Sequence, residues 1–434
     1  MKLRSLLIAV LLSLLCAPVV AQAGAEPQRS ELKFVVYLSR HGVRSPTGKP
    51  EQYNPYSKAP WPEWSVAPGL LTSHGYRLME FFGAYDRQFL AGEGLLSAIG
   101  CTDAPHVRFI ADSDQRTRET GHALAAGMFP GCPPSVAALP EGTTDPLFHS
   151  LAGGVGKADP ELAAAAIAGR IGGDPLRLTE SYRPQLAELD HILSSCGASD
   201  SGGSKRVSLF DIPSSLSAGK GDHGAELKGP LMTAGTLTEN LLLEYSEGLP
   251  VAQVGWGCVD GARLRELIEL HTASSNFTRR TKAVARMQVS NLLDHIRRAL
   301  QQAATGKPVA GAPSSPADLA LFLVGHDTNI ANVSGLLDLT WTLDGRRDDT
   351  PPGGALVFEL WRSPSGELSV RTFYTAQTLE QMRNTTVLTP LHPPGRVPVA
   401  LPGCNRADLS CPWEAFDRVL REAEDLRYVA ADHE

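Results

Sequence analysis

Blocks of apolar residues along the chain are separated by polar, glycine and proline punctuation, and the spacing inside each block predicts an element. Residues 34–38 form a short continuous apolar run that ends in Arg40-His41-Gly42, the pattern of a buried strand followed by a loop. From Thr72, a residue type suited to cap a helix, residues 76–90 place Leu78, Met79, Phe82, Tyr85 and Phe89 at helical spacing. Residues 107–111 and 317–324 are further strand-like runs, ending in DSDQRTRETG and GHDTN. The middle differs: 161–170 is alanine-rich, 186–193 and 237–245 have helical patterns, and 195–205 is a Ser/Gly loop tied down by Cys196. Strands return at 356–361 and 368–374. Residues 390–402 are proline-rich and predicted to be an extended surface segment. A closing helix from Pro412 lines up Phe416, Val419, Leu420, Ala423 and Leu426 on one face.

Three strands therefore each deliver polar, chemically capable residues at their C-terminal ends, which is where open α/β sheets bind ligands. The fold class predicted is α/β. A chain this long exceeds the usual single domain, and the change of character divides it into an α/β domain at 24–150 and 286–434 and a mostly helical insertion, a candidate lid, at 151–285. There is no fixed-period repeat.

The first 23 residues read as a secretory signal: Lys2 and Arg4 precede the apolar stretch 6–15, and Ala21-Gln22-Ala23 is a small-residue cleavage site. A mature chain beginning near Gly24, periplasmic or secreted, is expected. Leu15 before Cys16 makes a lipoprotein anchor the weaker reading. No other stretch approaches the roughly 20 apolar residues needed to span a bilayer, so no membrane partner is expected. The formal charge is −7, and removing a leader with two cations and no acid takes it to −9. Such a chain is not built to coat nucleic acid, so any polyanion would need a local basic pocket. Of seven cysteines, six remain in the mature chain: Cys101, Cys132, Cys196, Cys258, Cys404 and Cys411. In an oxidising compartment they are most simply three disulfides, although about 15 pairings are open on residue evidence alone. None forms a CxxC pair and HExxH is absent, so no metal site is expected.

The stretch SRHGVRSPTG crowds Arg40, His41 and Arg44 together although like charges repel, and an anion would supply the reason. Cleaving a phosphate ester requires cations for its oxygens, a nucleophile for phosphorus and an acid for the departing alcohol. Arg40, Arg44 and Arg116 offer planar donor forks that match phosphate oxygens. His41 can be the nucleophile while neutral, and neighbouring cations lower its pKa. Gly42 leaves room for close approach. His326 is a candidate donor to the phosphoryl oxygens. Asp327 is a candidate acid, its carboxyl expected to have a raised pKa when desolvated beside bound phosphate. Plainer readings exist: Asp after His is common as a turn or cap, and DSDQRTRET could be only a helix start. R-H-G-x-R-x-P at 40–46 is more specific, since five fixed residues match by chance in on the order of one in ten thousand chains of this length.

These segments, with DPLF at 145–148, VGHDTNIANVSG, DDTPPGGALVFELWR and QTLEQMRN, resemble the histidine acid phosphatases, within them the bacterial periplasmic phytases and glucose-1-phosphatases. The likeness runs from about residue 33 to 425. It implies a central mixed sheet flanked by helices with an inserted, mostly helical domain, and no metal or organic cofactor. It also implies that His41 is phosphorylated, that Arg40, Arg44, Arg116 and His326 hold the phosphate, and that Asp327 donates the proton. It pairs Cys101 with Cys132 and Cys404 with Cys411, leaving Cys196 with Cys258.

The resemblance divides on the ester. Thr47, Lys49, Glu239 and Arg280 are its substrate-binding candidates, the last two matching pocket positions of the phytases. Gly48 stands where phytases of this group commonly have Lys, and Thr236 where methionine is expected. RHGVR and HDTN look more like the phytases, whereas EYSEGLPVAQVGWG is similar to the glucose-1-phosphatases. Phytate needs cations beyond the catalytic arginines, and Arg280 and Lys49 would supply them. The reading is a monomeric phytase acting on a small-molecule phosphomonoester, the alternative a glucose-1-phosphatase or broad acid phosphatase. A phosphoglycerate-mutase-like transferase shares the Arg-His-Gly start but not the export signal. A non-catalytic periplasmic phosphate-ester binding protein would not need a nucleophile and a proton donor together. GxSxG and P-loop motifs are absent.

Overall fold

The computed structural model describes residues 29–197, 206–220 and 224–431, so the expected leader and most of the 195–205 loop lie outside it. Eight strands form the main sheet: β1 (Glu31–Arg40), β2 (Val107–Ala111), β3 (Val136–Ala137), β4 (Ala320–Gly325), β5 (Ala355–Arg362), β6 (Leu368–Ala376), β7 (Gly395–Pro398) and β8 (Ser410–Pro412). Their order is β7-β6-β5-β1-β4-β2-β3, with β8 sharing the outer edge of β6. The neighbours β1, β4, β2 and β3 run parallel, and β5 pairs antiparallel with both β1 and β6, so the sheet is mixed.

The parallel strands are buried on both faces, which is why 34–38 and 320–324 read as continuous apolar runs rather than alternating ones. Alternate residues of β1 serve opposite faces. Val35 and Tyr37 join a core with Phe109 and Phe322, in which the ring centroids of Tyr37 and Phe322 stand 4.4 Å apart. Phe34, Val36 and Leu38 join a second core on the other side.

The first of these cores is covered by α1 (Ser73–Gly92) and α2 (Gln115–Met128). Thr72 caps α1 as its spacing predicts, accepting from the Gly75 N–H at 2.8 Å. The two helices touch along their backbones: a Cβ at Gly83 would stand 2.1 Å from the Leu124 carbonyl oxygen, and one at Gly127 1.9 Å from that of Glu80. Between the halves of the sheet come α3 (Pro160–Arg170), α4 (Leu176–Ser181), α5 (Arg183–Ser195), α6 (Pro230–Ser246), α7 (Gly261–Thr278) and α8 (Lys282–Thr305), with a two-stranded ribbon at 215–218 and 225–228. After β4 follow α9 (Asp327–Leu336), α10 (Leu379–Arg383) and α11 (Trp413–Ala423). Helix α8 contributes Val284 and Met287 to a third core within the helical segment, and Ala285, Val289, Leu292 and Leu293 to the core behind the sheet.

The disulfides are Cys101–Cys132, Cys196–Cys258 and Cys404–Cys411, the pairs the resemblance implies. The proline-rich stretch 390–402 is not simply an extended surface segment. Its residues Gly395–Pro398 form β7, an edge strand where a proline at the end costs no ladder bond the sheet needs. No helix among the described residues is long and apolar enough to cross a membrane.

Candidate active site

Strands β1, β4 and β2 are in a register that ends them at one level: Arg40 pairs with Gly325, and Ala111 with Val324. The next residue of two strands is pinned by the ladder, with the His41 N–H on the Gly325 carbonyl and the Asp112 N–H on the Val324 carbonyl, both at 3.0 Å. Residues from positions 41, 112 and 326 thus leave the sheet at the same edge. The chain there is buried, and His41 is only 1% exposed.

Nδ1 of His41 lies 2.8 Å from the Gly42 carbonyl oxygen. A carbonyl only accepts, so Nδ1 carries the proton and Nε2 keeps a bare lone pair. Burial lowers this ring's pKa well below the ordinary histidine value, and Arg40, Arg44, Arg116 and His326 push it further the same way. Gly42 does permit a close approach, but to protein: a Cβ there would meet Met79 Cγ at 2.9 Å and the Gly75 carbonyl at 3.1 Å.

The arginines are held by acids. Arg40 is fully buried, donating to Glu239 and to the Thr350 carbonyl; burial opposes its charge, but Glu239 and Asp327 keep its pKa above the usual guanidinium range. Arg44 lies 3.7 Å from the same Glu239 oxygen, and burial together with Arg40 and Arg116 brings it down to about 10. Arg116 pairs with Asp114 at 2.5 Å, and its Nη2 is 3.4 Å from Nδ1 of His326. The His41 and His326 rings meet edge to face, centroids 5.7 Å apart.

His326 begins α9 from an extended conformation, and its N–H is received by Asn329. Its Nε2 donates to Asp112 at 2.5 Å, and burial, aided by Arg116 and resisted by Asp112, lowers its pKa. The raised pKa expected of Asp327 belongs to the phosphate-bound site, and in the free site the shift runs the other way. Burial pushes it up, but Arg40, His271, Arg44 and His326 outweigh burial and hold it well below the usual carboxylate range in the free site.

Of the candidates outside this set, Glu239 on α6 lies at its centre, between Arg40, Arg44 and His271. Thr47 and Lys49 are exposed on the loop leading away from Ser45, and Lys49 lines an open cleft of about 310 Å³ with Tyr53, Trp61 and Trp64. Arg280 is not brought into the cluster. Its guanidinium donates to Ser334 Oγ and the Leu339 carbonyl and lies over the Trp341 ring, so two of its five donors are used on protein.

Asp112 and His149 are new to the picture. His149 Nε2 donates to Asp112 Oδ2 at 2.8 Å, the oxygen that His326 also occupies. Both residues border quoted motifs, one opening DSDQRTRETG and the other following DPLF, but their contact joins distant segments. The three donor atoms lie within 4.8 Å of one another. Two ligands on a tetrahedral zinc ion would stand about 3.3 Å apart, so separations of 2.5 and 2.8 Å are those of side chains hydrogen-bonded to each other.

The model of the histidine phosphatase superfamily (branch 2) matches residues 31–161 and 263–375. Phytase AppA of Escherichia coli (strain K12) is 37% identical over 418 residues, covering 94% of this chain and 95% of that protein. A glucose-1-phosphatase of Salmonella typhimurium is 31% identical over 408 residues, 93% of this chain and 95% of that one. Among solved structures, the Hafnia alvei phytase in complex with tartrate superposes with a TM-score of 0.85 at 34% identity, covering 94% of this chain and all of that one. The matched segments carry β1, β2, β4 and the strand ends that gather His41, Asp112 and His326, and the chain belongs to the histidine phosphatase superfamily, branch 2.

Proposed function

We propose that this chain is a phosphoric monoester hydrolase acting through a phosphohistidine, and that its preferred ester is phytate. One observation carries the reading: a buried histidine with a bare Nε2 sits among Arg40, Arg44, Arg116 and His326, beside a carboxyl at the start of α9. The cations bind phosphoryl oxygens and keep the imidazole unprotonated. In the first step, His41 Nε2 forms the N–P bond, the P–O bond to the alcohol breaks, and Asp327 gives that oxygen its proton. In the second, water attacks phosphorus, the N–P bond breaks, and Asp327 takes the proton from water.

In the free site Asp327 is held ionised by the same cations that await phosphate. Bound phosphate competes for those charges, and a phosphomonoester monoanion, whose second pKa is about 6, brings the proton with it. Turnover in mild acid follows from this.

Phytate is favoured by the phytase relative that is more similar than the glucose-1-phosphatase one. The alternative, a glucose-1-phosphatase, is supported by EYSEGLPVAQVGWG, a segment in which Glu244 Oε2 accepts from the Gly255 N–H at 2.9 Å. Lys49, exposed on the cleft it lines with Tyr53 and Trp61, is a cation for additional phosphates. We also take the chain to be an exported monomer, the helical segment 151–285 covering the site as an insertion. Acid-labile, base-stable phosphate on His41 after rapid alkaline quenching identifies the chemistry, since phosphohistidine loses its phosphate in acid; absence of label on His41 in an active preparation would falsify it. Phosphate release from phytate, glucose 1-phosphate and nitrophenyl phosphate, compared by kcat/KM, decides the ester.

A further inference from the structure

The pair of imidazoles on Asp112 is more than a hydrogen-bonded support. An ionised carboxylate only accepts, so His326 and His149 each place an Nε2–H on Oδ2 of Asp112, at 2.5 and 2.8 Å. The remaining capacity of that carboxylate goes to Ser113, whose N–H donates to Oδ1. With Nε2 committed, a neutral His326 presents a lone pair at Nδ1, toward Arg116. A phosphoryl oxygen arriving there would meet a lone pair unless Nδ1 also gains a proton. Retaining that second proton depends on how much of the Asp112 charge His326 commands.

His149 is the competitor for it. Its backbone is fixed: the His149 N–H donates to the Asp145 carbonyl at 2.8 Å, its carbonyl accepts from the Gly153 N–H at 2.7 Å, and Asn329 of α9 donates to the neighbouring Phe148 carbonyl. The side chain is 40% exposed and can exchange protons with solvent, whereas the Asp112 side chain is 1% exposed and cannot seek other partners. The rings of His149 and His326 are 5.2 Å apart.

We propose that His149 is a positioning residue which, by sharing one Asp112 oxygen with His326, sets whether His326 offers phosphate a donor or a lone pair. This rests on the phosphate-binding role proposed above for His326. Around His149, Asp112 and Asp114 from the strand-to-helix junction and Asp145 from its own loop favour its cation; the Asp112 hydrogen bond is the largest cause of its raised pKa. Arg116 on α2 and His41 at the end of β1 face the His326 side, and His295 of α8 faces Asp145. A cation at His149 spends part of the Asp112 charge, so His326 surrenders its second proton at a lower pH. Once His149 is neutral, that charge is returned.

The test uses sulfate, whose charge is fixed over about pH 4 to 9, so its binding reports groups on the protein alone. Calorimetric titration of the full mature chain with sulfate should show affinity falling as pH rises and His326 loses Nδ1–H. In His149→Asn, which cannot become a cation, the fall should move up by about half to one pH unit, giving roughly three- to tenfold tighter binding on that limb. His149→Gln should do the same, and serves if the first variant folds poorly. A curve superimposed on wild type, or displaced downward, overturns the proposal, as does a ¹⁵N-imidazole NMR titration of the wild type in which the two rings titrate independently. None of these readouts uses turnover, so failure here is distinct from a wild-type chain that hydrolyses no monoester.

Discussion

A histidine attacks phosphorus only with a bare nitrogen, and two separate constraints provide one at His41. The Gly42 carbonyl fixes the tautomer, and burial among guanidinium groups keeps the other nitrogen empty in mild acid. Asp327→Asn keeps the shape but removes the transferable proton. It should lower kcat by about a hundredfold or more for sugar phosphates and by less than about tenfold for nitrophenyl phosphate, whose leaving group needs little protonation. Steady-state rates on both esters check it, and equal losses would remove Asp327 from the acid's role. At this scale the sequence was most informative where chemistry is contiguous: R-H-G-x-R-x-P and His326-Asp327 each stand as a string. Asp112 and His149 were illegible because their meaning is a contact between segments 37 residues apart, shared with a third more than 200 away. For Arg280 the string gave a cation but not the oxygens it meets, Ser334 Oγ and the Leu339 carbonyl.

Elements carry these residues with different obligations. Helix α6 brings Glu239 to Arg40 and Arg44, and without it a fully buried guanidinium loses its carboxylate partner. Glu239→Ala should therefore cost about 3 kcal/mol of stability. Inorganic phosphate should restore more of the melting temperature in this variant than in wild type, because the anion supplies the missing charge. Arg280 links the α7–α8 turn to the end of α9 through Ser334 and Leu339. Arg280→Ala should lower stability by about 2 kcal/mol and change KM for phytate and nitrophenyl phosphate alike; a loss confined to phytate would return Arg280 to the substrate pocket. Strands and the capped helix α1 were readable from period and cap, to within a few residues. Helix α7 and most of α8 went unread, and β7 was hidden by its prolines, because an edge strand lacks the two-sided apolar pattern of β1 and β4.

The whole molecule stores a pH dependence away from its chemistry. Glu244, buried in the helical segment, is pushed up to about 8 by burial, with the Gly255 N–H opposing. In the unfolded chain it titrates near 4.5, so the folded state binds the extra proton between these values. The stabilisation is fully present below about 4.5 and is lost as pH rises toward about 8. Denaturant unfolding should show stability declining by a few kcal/mol from pH 5 to 8, and Glu244→Gln should flatten that slope. An unchanged slope would mean that Glu244 finds water or a new partner when charged.

Helix α8 has apolar residues in two cores at once, with Val284 and Met287 on one side and Ala285, Val289 and Leu292 on the other. A beam built into both rooms cannot be withdrawn from one while the other stands. Melting of the chain in a calorimeter should accordingly give one endotherm rather than two, and a polar residue at Val289 should lower the temperature of the entire transition. Two resolved endotherms would show that the beam can be cut.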